Sequence, residues 1–324
     1  MADREEFVRV AEPLRRELLV HCYRMLGSVD DAEDLVQETY LRAWRAYDDF
    51  EGRASVRTWL YRIATRTCLT AIETRGRRPL PSGIGAPSDA PQEPVGRASD
   101  DVPWLQPLPD ALVDPASLVV ARGSVRLALV AALQELPARQ RAVLILREVL
   151  AWRASEVAAA LGTSTAAVKS TLQRARARLD EVASAEDLLS EPAAVDERAL
   201  LDRYMAAFER GDADALAQLL YDGIELEMPP YAAWFSGKKD VLAFLGARVL
   251  DPFGGLRVRM RPTRVNGQPA VGTYKPEGEV YRPHSVQVLT PGADGERIAR
   301  ITAFLDPGLV ERCGLPPVLP RERS

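Results

Sequence analysis

The chain has 324 residues, 47% hydrophobic and 27% charged, which is enough for two or three domains with a core each. Three scattered cysteines (Cys22, Cys68, Cys313) and two histidines (His21, His284) argue against a disulfide framework, a zinc site or any other metal centre, and for a reducing compartment. The net charge is −4, no run of about 18 apolar residues exists, and charge begins at Asp3; these features exclude a membrane span, do not read as a signal peptide and predict a cytoplasmic protein.

The first segment, 5–78, reads as consecutive helices. Phe7, Val10, Leu14, Leu18 and Cys22 keep helical spacing, and Gly27-Ser28 ends that helix. Asp30 or Asp31 caps the next helix, where Ala32, Leu35, Val36, Thr39, Tyr40 and Ala43 alternate with acids. Ser28 to Asp49 carries a net charge of −5, whereas Phe50 to Arg78 carries +5. A loop around Gly52 leads into a third helix with Trp59, Leu60, Ile63, Ala64 and Thr67 inward.

Between residues 79 and 115 nine prolines interrupt any helix, which predicts a linker. Its apolar island, Val102-Pro103-Trp104-Leu105-Gln106-Pro107-Leu108, is predicted to dock rather than hang free. Helical periodicity resumes from Leu118 to Leu133, and Pro137 opens another helix. The stretch Trp152–Arg178 then combines a short apolar helix, a Gly162-Thr163-Ser164 turn and a second helix capped by Ser164 or Thr165. Val168, Leu172, Ala175 and Leu179 form its buried stripe; Lys169, Ser170, Gln173, Arg174 and Arg176 lie opposite. That is the layout of a helix-turn-helix entering a DNA major groove, and Arg139 to Arg178 carries +6. Taken alone, the same pattern fits an ordinary pair of packed helices with a solvated basic face.

After a shorter connection at 183–195, the third segment changes kind. Helical patterns at Arg198–Glu209, Ala213–Leu220 and Lys239–Val249 surround the alternating Ile224–Met228. Strand candidates follow at Leu256–Thr263, Ala270–Tyr274, Ser285–Leu289 and Arg297–Phe304, with a hairpin turn at Asn266-Gly267. Helices ahead of an antiparallel sheet predict an α+β domain.

The motifs DDAEDLVQETYLRAW (Asp30–Trp44), RTWLYRIATRTCL (Arg57–Leu69), LPARQRAVLILREV (Leu136–Val149) and RARARL (Arg174–Leu179) resemble an extracytoplasmic-function (ECF) sigma factor of bacterial RNA polymerase. The runs Leu200–Leu220 and Pro229–Leu245 resemble a SnoaL-like cone, the fold shared with nuclear transport factor two and ketosteroid isomerase. The fold class implied is multidomain: two all-α DNA- and polymerase-binding domains, the second with the helix-turn-helix, then an α+β cone. The expected boundaries are 5–78 for sigma region two, 79–115 for the linker, 116–182 for region four, 196–306 for the SnoaL-like domain and 307–324 for a C-terminal tail.

The resemblance implies that Asp34, Leu35, Gln37 and Glu38 meet the clamp helices of the largest subunit of the polymerase core enzyme. It places Phe50, Arg53, Ser55, Arg57, Trp59, Arg62 and Arg66 at the −10 element of promoter DNA, where an extruded base needs a stacking surface and cations. Trp59 fits plain core packing equally well. Lys169, Ser170, Gln173 and Arg174 would read the −35 element, with Arg139 and Arg141 on flanking phosphates and Arg176 and Arg178 at phosphate or solvent. The family commonly has Asn and Asp where this chain has Arg66 and Thr70, which changes the expected −10 preference. Relatives with a SnoaL-like domain carry a Trp-Leu-Pro-like linker element, here Trp104-Leu105-Gln106-Pro107, and Trp104 and Leu105 are the expected regulatory contacts.

Glu227, Tyr231, Trp234, Tyr274 and His284 are the expected pocket residues, with core packing as the plainer role of the aromatic ones. The cone has room for a small-molecule ligand, and no cofactor, metal or membrane is expected. The function implied is promoter-specific initiation with polymerase core, regulated by the third domain; no enzyme activity is expected. Two alternatives stay open: a conventional helix-turn-helix regulator, and a DNA-targeted small-molecule isomerase or hydrolase.

Overall fold

The computed structural model describes residues 2–99, 101–113, 125–182, 197–247 and 258–321. The expected helix start at 118, the connection at 183–195 and the end of the 239–249 helix fall outside the described residues. The chain divides into two compact units: Met1–Arg78 with Leu105–Leu108 and Val113–Leu189, and Pro79–Trp104 with Pro109–Leu112 and Ser190–Ser324.

The first unit is helical. α1 (Ala2–Ala11) and α2 (Arg15–Leu26) stand where the sequence reading placed one helix. Pro13 in the intervening turn Glu12–Leu14 breaks it, because proline lacks the N–H and its ring crowds the preceding turn. Gly27 ends α2 in the left-handed conformation at φ 67°, and a Cβ there would come within 2.9 Å of Gln134. α3 (Val29–Arg45) is capped by Ser28 and not by the expected Asp30 or Asp31: the Ser28 hydroxyl accepts from Asp31 N, and the two acids, inside the first turn, complement the N-terminal dipole. α4 (Val56–Arg75) is capped in the same way by Ser55.

α5 (Leu127–Gln134) and α6 (Ala138–Leu144) follow, the latter passing into a wider turn at Ile145–Val149. α7 (Ala154–Leu161), a left-handed Gly162 and α8 (Thr165–Val182) form the helix-turn-helix. Ser164 Oγ accepts from Ala167 N and so supplies the cap. Val168, Leu172 and Ala175 are buried along α8, as the stripe predicts, whereas Leu179, its fourth member, is only half-buried.

The second unit is α+β. α9 (Glu197–Arg210) and α10 (Ala213–Leu219) precede β1 (Leu220–Glu227), β2 (Trp234–Ser236) and α11 (Lys238–Leu245). Then come β3 (Arg259–Val265), β4 (Gln268–Glu277), β5 (Val280–Pro291), β6 (Ile298–Phe304), α12 (Pro307–Arg312) and β7 (Leu319–Pro320). The sheet order is β2-β1-β6-β5-β4-β3, antiparallel except for β1 beside β6, and β7 adds to β5. Asn266 and Gly267, at φ 57° and 66°, make the two-residue β3–β4 hairpin. β2, α12 and β7 had no periodicity to announce them. They are short, and Leu309, Val310 and Leu319 are buried where the sequence reading had only a tail.

Tyr204, Phe208, Leu226, Phe235, Phe244 and Ile301 belong to the core that α9–α11 build against the sheet. Among the described residues, no helix is long and apolar enough to cross a membrane, and no cluster of three or more His, Cys, Asp or Glu is placed to hold a metal. Cys22, Cys68 and Cys313 are buried and form no disulfide.

Candidate functional sites

α3 buries Val29, Ala32, Leu35, Val36, Thr39 and Ala43 and turns Asp34 and Gln37 to solvent. Leu35, expected at the polymerase surface, is 8% exposed and is chiefly a core residue. Leu41, at 52%, extends the Asp34–Gln37 ridge one turn further. Sequence reading passed it over, although i, i+3, i+7 spacing places 34, 37 and 41 on one face. Glu38 is partly occupied by an ion pair with Arg42 at 2.7 Å.

The −10 candidates divide into two groups. Phe50 and Trp59 come together with centroids 4.7 Å apart, and Tyr47 stacks on Phe50 at 6.2 Å. Both Phe50 and Trp59 are half-buried, so each packs and still offers ring surface. Arg53 is exposed and pairs with Glu51. Ser55 serves α4 as its cap, its Oγ accepting from Thr58 N at 3.1 Å. Arg57 bonds Glu17 at 2.8 Å and lies 5.0 Å from the centroid of the Tyr61 ring. Arg62 is half-buried. Arg66 donates from Nε to Ala160 O, at the end of α7, at 3.1 Å.

On α8, Lys169, Ser170, Gln173 and Arg174 are all exposed on the side away from the buried stripe. Arg176 pairs with Glu148 at 2.8 Å and Arg178 with Glu181 at 2.9 Å. Arg141 corrects the expectation of a phosphate contact, being only 2% exposed. Its guanidinium donates to Met25 O, to Gln134 Oε1 at 2.7 Å and to the carbonyls of Gln134 and Leu136 at 3.1 and 3.2 Å. Burial lowers its pKa to about 10, which still leaves it charged at neutral pH. Trp152 adds an edge contact to Tyr61 at 6.3 Å, so the two helical regions pack together within the first unit.

Linker residue Gln106 is a contact that sequence reading missed. Its Oε1 accepts from Ser28 Oγ at 2.7 Å and Asp30 N at 3.2 Å, and its Nε2 donates to Asp30 Oδ2 at 2.8 Å. Its backbone N–H bonds Gly27 O at 2.9 Å, and its carbonyl accepts from Tyr23 Oη at 3.0 Å. Leu105 and Leu108 are fully buried beside it. The one visible signal was the Gln standing where the motif has Pro. Trp104 is half-buried, and its Nε1 donates to Ser99 O at 3.0 Å.

In the second unit, linker segment 79–104 is hydrogen-bonded along β1, β2 and the turn between them. Ser82 N donates to Glu227 Oε1 at 3.0 Å, Trp234 Nε1 to Gly85 O at 2.8 Å, Ser88 N to Trp234 O at 2.8 Å and Ser99 N to Pro230 O at 2.9 Å. Side chains alternate across a strand, so Leu226 and Met228 face the cone while Glu225 and Glu227 face the other way. Glu225 is paired there with Arg300 at 2.8 Å.

The cone holds a cavity of about 80 Å³, partly open to solvent. Of the expected pocket residues, His284 lines it. Glu227 and Trp234 hold the linker instead, Tyr274 donates to Pro316 O at 2.8 Å, and Tyr231 sits in the turn after Met228. The lining that sequence reading missed includes Tyr204, Phe208, Thr273, Lys275 and Gln287. Burial, with Lys275 close by, lowers His284 to a pKa of about 4, so its imidazole is neutral at pH 7.

Family models match three stretches of the chain: Sigma-70 region 2 at residues 10–78, Sigma-70 region 4 at 126–179 and a SnoaL-like domain at 201–305. The ECF RNA polymerase sigma factor SigG of Mycobacterium tuberculosis is 51% identical over 318 residues, covering 97% of this chain and 85% of that protein. ECF sigma factor SigJ of the same organism is 30% identical over 302 residues, covering 90% and 85%. The crystal structure of SigJ matches with a TM-score of 0.61 at 26% identity, over 94% of this chain and 98% of that one.

Proposed function

The chain belongs to the ECF sigma factor family, and from that premise we propose how its surfaces divide the work of promoter-specific initiation. Asp34 and Gln37, with Glu38 and Leu41 beside them, form the face for the clamp helices of the polymerase core enzyme, and Leu35 supports that face from beneath. Phe50 and Trp59 provide the stacking surface for an unpaired −10 base. Arg53, Arg57, Arg62 and Arg66 supply cations along the separated strand, and Ser55 fixes the start of the helix that carries them. Lys169, Ser170, Gln173 and Arg174 enter the major groove at the −35 element. The protein works in the cytoplasm and catalyses no reaction of its own. Its third domain sets how freely the linker moves, through the bonds at Glu227, Trp234 and Pro230, and takes a small-molecule ligand in its cone.

The observation that carries this reading is the presence of two exposed faces of opposite character in one chain. One is the Asp34–Gln37 ridge and the other the Lys169–Arg174 face, each backed by a buried apolar stripe. Runoff transcription from a genomic promoter library with purified core polymerase tests it. Initiation is expected from a defined promoter set, and D34K with E38K should weaken core binding at least tenfold while leaving binding of α8 to duplex DNA intact. Unchanged co-elution of the double variant with core would overturn the assignment.

A further inference from the structure

We propose that Ala166 is a specificity-determining residue of the −35 contact, its methyl group packing on the 5-methyl group of a thymine in the major groove. This rests on the reading of α8 as the helix that enters that groove, and goes beyond it by naming a further residue and the base that it selects.

Helix geometry singles out the position. Successive residues of an α-helix lie about 100° apart around its axis, so the buried Val168, Leu172 and Ala175 fix the direction that points furthest from the core. Ala166 and Ser170 fall within about 30° of that outermost line, Gln173 and Arg174 about 50° to either side, and Lys169 further round. All of them are exposed. The crest of the recognition face is therefore made of small side chains, and long polar ones flank it.

The crest is also low. Ser170 Oγ donates to Ala167 O at 3.1 Å, so its hydroxyl lies back along its own helix. Ser164 Oγ is held at the helix end, where it accepts from Ala167 N at 3.1 Å. From Gly162 to Ala166 the chain carries no side chain longer than threonine. This N-terminal end is the part of a recognition helix that meets base edges. The backbone of α8 can thus come close to the bases at Ala166, whereas Gln173 and Arg174 reach them with longer arms.

The base follows from the chemistry of alanine. Base edges in the major groove show acceptors and amino donors, and thymine alone adds a methyl group. The Ala166 Cβ makes no hydrogen bond, so against a polar edge it would displace water and return nothing. Against the thymine methyl it removes apolar surface from water on both sides.

Holoenzyme assembled from the full chain and core polymerase tests this by fluorescence anisotropy on a promoter of the set that runoff transcription defines. Each thymine of the −35 element is replaced in turn by deoxyuridine, which removes the methyl group and nothing else. One replacement is expected to weaken the wild-type complex about three- to fivefold, the size of one buried methyl contact. In A166G, thymine and uracil at that position should bind alike. Because the comparison is made within each protein, any general weakening of the variant cancels. A −35 element without an A·T pair, wild-type indifference to every replacement, or a thymine preference that survives in A166G would overturn the assignment of Ala166. If holoenzyme binds a scrambled −35 element as tightly as the intact one, the reading of α8 itself fails and the inference falls with it.

Discussion

His21 is fully buried in the first unit, where Nε2 meets Thr65 Oγ1 at 2.9 Å and Tyr61 packs edge-on at 5.0 Å. Burial first, and the Arg24 charge second, push its pKa down to about 3. The neutral imidazole is the native form, whereas the unfolded chain takes up the proton near pH 6.5. The linked stability is therefore complete above pH 6.5 and is lost as pH falls from 6.5 towards 3, at up to about 1.4 kcal/mol per pH unit. Thermal melts between pH 7.5 and 4.5 should show that decline, and H21Q should flatten it. Parallel pH profiles for wild type and variant would refute the assignment. Arg141 teaches a related lesson at the same scale. A basic residue in a basic block became a buried four-way donor because the carbonyls of Met25, Gln134 and Leu136 converge on it.

At the scale of the element, α8 separates two kinds of contact that composition alone treats as one. Arg174 lies on the exposed face with Lys169 and Gln173, whereas Arg176 and Arg178 are engaged by Glu148 and Glu181. R174A should cost about 1–3 kcal/mol on a cognate −35 duplex and relax selectivity at one base pair. K169A, on the same face, should also weaken the cognate site more than a scrambled one. Fluorescence anisotropy of holoenzyme on cognate and scrambled promoter DNA checks both. Equal loss on cognate and scrambled sites for R174A would remove its base-reading role.

For the whole molecule, the linker matters more than its proline count suggests. Residues 79–104 belong to the unit of the cone and 105–108 to the helical unit, and in each case the attachment is a set of named hydrogen bonds. Removing a bond whose partner stays buried costs more than the bond itself contributes. E227A, which strands Ser82 N, and W234F, which strands Gly85 O, should thus loosen the strap without unfolding either unit. Limited proteolysis of the full chain should cut within 79–104 several-fold faster in the double variant. Promoter-dependent transcription at fixed core concentration should change with it. Unaltered cleavage and unaltered transcription together would show that the strap exerts no control.

Local pattern was enough for much of this protein. The capped helices, the buried stripe of α8, the Asn266-Gly267 hairpin and the α+β character of the third segment all follow from periods of 3.6 and 2 and from turn chemistry, which neighbouring residues carry among themselves. The motif order also announced the family. What needed the tertiary structure was every assignment that depends on facing. Glu227 and Trp234 turned to the linker and not into the cone because alternation along β1 says only that 225 and 227 share a side, not which side is covered. Thr273, Lys275 and Gln287 came into one cavity through the pairing of β4 with β5, and His284 through a bulge that no local signal marks. Gln106 gained its role from Ser28 and Asp30, more than seventy residues away in the chain. Periodicity reports what a residue's neighbours do, whereas a site is made where distant segments meet, and only the packed chain settles which segments those are.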